Sequence, residues 1–107
     1  MLVSLTTLSP TMQDALRRLV AEITEHDGVS PINESASMGI EGVREADFFF
    51  MGLRSDPYGF VVCDERDGTL LLGVHPAHRS EGVGAELLRE ALRAHPEQGL
   101  TGEKVDG

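Results

Sequence analysis

The sequence predicts a single α/β domain of the α+β kind, an antiparallel β-meander flanked by helices. Three observations carry this expectation. An apolar stripe at helical spacing lies near the start, three short β-prone runs fill the middle, and a second helical stripe follows a glycine-bearing turn. At 107 residues the chain has room for one domain and one modest core.

Leu2 to Leu5 reads as a short first strand. Ser9-Pro10 is a helix start, because serine offers a capping oxygen and proline loses no hydrogen bond at the first helical position. Met12, Ala15, Leu16, Leu19, Val20 and Ile23 then form one face of a helix expected over 11–25, which Asp27-Gly28 ends. Residues 28–46 are small, polar or acidic and read as a long loop with a helical turn at 33–38. Three strands follow: 48–53, 60–63 and 69–74, separated by the turn-forming residues 54–58 and by Asp67-Gly68. Their near-continuous apolar character predicts burial on both faces, so helices should cover the sheet. Leu87, Leu88, Ala91 and Leu92 mark the last helix, stopped by His95-Pro96. Residues 1–95 form the expected domain, and 96–107 read as a polar flexible tail.

Composition excludes several functions. The single cysteine, Cys63, rules out a disulfide framework and a cysteine-based zinc finger, and reads as a buried core thiol. No apolar run is long enough for a membrane span or a signal peptide, so the expected location is cytoplasmic, with no membrane partner. A net charge of −9 argues against nucleic acid. Between Glu22 and Asp67 eleven acidic residues face three arginines, a net of −8 that reads as a solvated face or as a surface attracting amines. His75 and His78 lack matching acidic or cysteine partners, so no metal site is expected. Phe48, Phe49 and Phe50 read as core or interface residues.

Chemistry concentrates at the segment from Leu70 to Leu88. A buried strand exits at Pro76 into a turn containing Gly82 and Gly84, which opens directly into a helix. The first turn of a helix presents unpartnered N–H groups and a dipole that favours negative charge. The two glycines remove side chains that would keep a diphosphate from that backbone. No Lys-Ser/Thr follows them, and the third glycine of a dinucleotide fingerprint is missing. On spacing alone, a helix entry without a ligand is as good a reading.

Val74-x-Pro76-x-x-Arg79-x-x-Gly82-x-Gly84 followed by Leu87-Leu88 resembles the acetyl-CoA signature of the GNAT N-acetyltransferase family. The resemblance covers about residues 8–95, and the order of elements agrees with it. The phrases from Asp27 to Pro31 with Glu34, and from Val74 to Arg79, are similar to actinobacterial members, especially the first of the two domains of mycothiol synthases. The resemblance implies a partial acyl-CoA N-acyltransferase fold lacking its C-terminal strands. It implies acetyl-CoA as co-substrate and a small-molecule amine as acceptor. Leu72, Gly73 and Val74 would meet the pantetheine and thioester. Backbone N–H groups from Arg79, Ser80, Glu81, Gly82, Val83, Gly84 and Ala85 would hold the pyrophosphate.

Departures from the family pattern favour an alternative, a catalytically silent half-domain that binds or dimerises. Glu81 places a carboxylate beside the expected pyrophosphate. The sole tyrosine, Tyr58, lies far from where the family carries a thiolate-protonating one, and no catalytic residue is assigned. Glu34 and Glu41 are candidate proton relays, with solvated loop carboxylates as the blander reading. The missing strands predict an open edge along 69–74, hence a homodimer or a partner supplying them, with Leu70, Leu72 and the phenylalanine run near the contact.

Overall fold

The Ser9 hydroxyl accepts the Met12 N–H at 3.3 Å, and Pro10 follows at the head of helix α1 (Pro10–Asp27). The computed structural model describes residues 2–43, 45–53, 55–64, 69–95 and 99–100. The α1 stripe of Met12, Ala15, Leu16, Leu19 and Ile23 is buried, as its spacing predicts. The helix ends where Gly28 takes a φ of +83° and returns its N–H to Thr24. The expected turn in the following loop is a seven-residue helix, α2 (Glu34–Ile40), capped by Asn33 through the Ala36 N–H at 2.8 Å. Among the described residues no helix is long and apolar enough to cross a membrane.

One sheet runs in sequence order through β1 (Leu2–Leu5), β2 (Ala46–Leu53), β3 (Asp56–Asp64), β4 (Thr69–Val74) and β5 (Gly99–Leu100). The first four strands are antiparallel, the expected meander. The departure is β5, which pairs parallel with Thr69 and Leu70 inside the segment read as a tail. Strand formation there needs only backbone partners, and the β4 edge supplies them. The rest of 96–107 lies outside the described residues.

Strand alternation divides the core in two. Phe48, Phe50, Phe60 and Val62 pack with the α1 stripe and with Ala36 and Ile40 of α2. Phe49, Met51, Val61, Cys63 and Leu70 meet Val83, Leu87 and Ala91 of helix α3 (Val83–Ala94). Both sheet faces are therefore covered, and the phenylalanine run is core. Leu70 and Phe48 to Phe50 are buried within the chain, so they are not free for the contact between chains that the sequence suggested.

Local details aim the β4–α3 connection. The β2–β3 hairpin tightens until Leu53 pairs with Asp56, so β3 starts four residues earlier than its apolar run. Pro57, which has no N–H to give, pairs with Gly52 beside a register shift. Gly59 gives α3 a close seat, since a β-carbon there would stand 2.7 Å from Val83 Cγ1. At the far end of α3, His95 Nε2 lies 2.7 Å from Asp47 Oδ2 without the alignment of a hydrogen bond.

Candidate phosphate and pantetheine groove

Beyond Leu70, no described strand pairs with the outer edge of β4. A groove of about 380 Å³ occupies that edge. Leu72, Gly73 and Val74 line it from β4, Gly82, Gly84 and Ala85 from the head of α3, and Ile23, Asp27 and Pro31 from the α1 side, with Arg79 the remaining lining residue. Seven of the ten residues expected from the sequence thus come together. Ser80 and Glu81 are exposed and do not line the groove, and Val83 is turned into the core.

The connection is built from short local bonds. The His75 N–H donates to Tyr58 O at 2.8 Å, after which Pro76–His78 forms a 3-10 turn. His75 Nδ1 accepts the Ala77 N–H at 3.1 Å, while Nε2 lies 3.2 Å from Glu22 Oε1. An acceptor Nδ1 leaves the proton on Nε2, the neutral tautomer. Tyr58 stacks on the His78 ring at 4.2 Å between centroids. His78 Nδ1 lies 2.9 Å from Glu81 Oε1, which engages the carboxylate that the sequence placed against the phosphate. Among the described residues no group of three or more His, Cys, Asp or Glu could hold a metal ion.

Helix α3 begins at Gly82, whose φ is +79°, and no side chain caps it. Its first-turn N–H groups are therefore left for another acceptor. The two glycines play different parts. Gly82 needs its left-handed backbone. At Gly84 a β-carbon would make only ordinary contacts with Leu72 Cδ2 at 3.5 Å and Val74 Cγ2 at 3.7 Å. The fold tolerates a side chain at Gly84, so the groove is what its absence keeps open.

Among the described residues, Arg79 and Asp27 are the only charged ones lining the groove. Arg79 Nε donates to Val74 O at 3.0 Å, and its two terminal nitrogens grip both Asp27 oxygens at 2.9 and 2.8 Å. Hydrogen bonds from Arg79, and then from His26, pull the Asp27 carboxyl down to about 2. The sequence reading treated Asp27 only as a helix end, because 52 residues separate it from Arg79 and no local spacing reports such a pair. Glu41 is held by Arg17 at 2.6 and 2.7 Å, and Glu34 is exposed in the first turn of α2; neither lines the groove.

The helix-covered meander, whose fourth strand runs through a glycine turn into the head of a helix, is a fold shared with GNAT-family acetyltransferases of known structure. The chain belongs to the GNAT acetyltransferase family, whose model matches residues 13–105 and whose members generally use acetyl-CoA as acyl donor. It is 34% identical over 90 residues to the mycothiol acetyltransferase of Propionibacterium freudenreichii, covering 83% of this chain and 29% of that protein. It is 31% identical over 136 residues to the mycothiol acetyltransferase of Brachybacterium faecium, covering 92% of this chain and 41% of that one. The chain thus spans well under half the length of these relatives. Among solved structures, a GNAT-family acetyltransferase from Staphylococcus aureus superposes with a TM-score of 0.64 at 11% identity, over 91% of this chain and 67% of that one. A ribosomal-protein-alanine N-acetyltransferase from Brucella melitensis gives 0.53 at 16% identity, over 99% and 82%.

Proposed function

We propose that the chain is the acetyl-CoA-binding unit of a cytoplasmic N-acetyltransferase that acetylates a small amine. The observation that carries this reading is Gly84, a residue the fold does not require, facing the groove at the uncapped head of α3. The first-turn N–H groups of α3 would take the diphosphate, and the open backbone of Leu72 to Val74 would run alongside the pantetheine. Acetyl-CoA supplies an activated acyl group. The amine lone pair forms the new C–N bond as the C–S bond breaks, nitrogen loses a proton and sulfur gains one. The protein's part is to align the two reactants and to neutralise developing charge. The acceptor of the mycothiol acetyltransferases is the first amine to test, given the two relatives of that name.

A thermal-shift titration with acetyl-CoA tests the reading, because a ligand of the native state raises the melting temperature by mass action. An unchanged melting temperature at millimolar acetyl-CoA rejects it. The β4 edge beyond Leu70, which no described strand pairs, favours a second reading, a silent half-domain whose β4 edge is completed by a second copy or by a protein partner. With a second copy on that edge, light scattering without ligand returns a mass near twice 11.6 kDa, and acetyl-CoA has no effect.

A further inference from the structure

We propose that Asp27 is a built-in competitor of the groove's anionic ligand, holding Arg79 until a phosphate takes the guanidinium from it. This rests on the reading of the groove as a coenzyme A site. Three observations lead to it. The Arg79–Asp27 pair is bidentate, with both partners among the groove-lining residues, so the guanidinium that Arg79 brings to the groove is already matched by a carboxylate. Asp27 is the last residue of α1, where the helix dipole disfavours negative charge, so the position suits Arg79 rather than the helix. Exchange is also within reach. The Asp27 side chain is 29% exposed and His26 Nδ1 lies 2.9 Å from Oδ1, so the carboxylate keeps a partner and water when Arg79 leaves.

A guanidinium gripping a carboxylate through two parallel bonds presents the geometry it would present to a phosphate. Asp27 therefore occupies the donors a phosphate would use, and it adds like charge beside any anion that binds next to the pair. The groove selects against weakly charged anions that cannot win the exchange. A diphosphate brings more charge than one carboxylate and meets the α3 N–H groups at the same time. Asp27 is thus a specificity-determining residue that touches Arg79 rather than the acetyl group.

The test is calorimetric titration of the intact chain with coenzyme A, comparing the parent with Asp27→Asn and Asp27→Ser. The expected result is affinity raised about five- to tenfold in both variants, with the gain shrinking as sodium chloride is added, because the term is electrostatic. In an Arg79→Gln background the same Asp27 substitutions should change affinity less than twofold, since the contested cation is gone. If Asp27 merely braces the turn, both variants bind more weakly in step with a lower melting temperature, and the proposal is overturned. Binding by the parent with no gain in the variants overturns this inference alone. Failure of every protein to bind removes the coenzyme A reading beneath it.

Discussion

Gly73 lies against the Phe60 ring so closely that a β-carbon on it would stand 2.5 Å from Cε1 and 2.8 Å from Cζ. Ile23 Cδ1 closes the same space at 3.2 Å. A fully buried aromatic in the middle of the sheet cannot move aside cheaply. Gly73→Ala should therefore cost about 1–3 kcal/mol, the range for overpacking a filled core. Urea denaturation measures it, and a variant with an unshifted midpoint would show that the strand relaxes around the methyl group.

Gly84 behaves in the opposite sense. Its β-carbon has room in the ligand-free protein, and alanine is the better helix former. Gly84→Ala should leave the melting temperature level or slightly raised, while Gly84→Glu, which puts bulk and like charge at the phosphate, should weaken acetyl-CoA binding at least tenfold. Loss of stability together with loss of binding would return Gly84 to a purely structural role.

The Asp27–Arg79 pair predicts a pH dependence whose sign is fixed. With its carboxyl lowered to about 2, Asp27 contributes stability that is fully present above its ordinary value of 3.8. That contribution is lost as pH falls through the depressed value. Parent and Asp27→Asn should therefore differ in stability at neutral pH and converge as the pH approaches about 2. Parallel curves across that range would mean the pair adds nothing to the fold. The variant is thus expected to be less stable yet to bind coenzyme A more tightly.

Local patterns made most of the fold legible. The α1 stripe, the three strand cores and the Gly82 turn are short-range signals, and each lies where its spacing puts it. What escaped was long-range or purely backbone. Strand β5 has no side-chain pattern, being Gly99 and Leu100 against an available edge. Asp27 belongs to the groove only because α1 ends beside the β4–α3 turn. Glu81, read as repelling phosphate, faces His78 because the 3-10 turn brings the two side chains together, a contact invisible to charge counting.

His75 offers a spectroscopic check on the turn. Its Nδ1 accepts from Ala77 and its Nε2 faces Glu22, so the ring is the Nε2–H tautomer. Long-range proton–nitrogen correlation at neutral pH should show a pyridine-like Nδ1 and a pyrrole-like Nε2 for this histidine. Glu22→Gln should leave the tautomer in place, because the Ala77 N–H selects it. The reverse tautomer would mean that the turn is held differently.

Cys63 sits fully buried on β3 in the half of the core that α3 covers, and it is the only thiol in the sequence. A thiol reagent can reach it only when the sheet parts, so alkylation of the native protein proceeds at the frequency of those openings. The chain therefore contains its own reporter of rare excursions. Mass spectrometry after timed alkylation would count one event per molecule, without a dye or an added label. Coenzyme A bound at the far edge of β4 should slow that clock, even though it touches neither Cys63 nor its neighbours on β3.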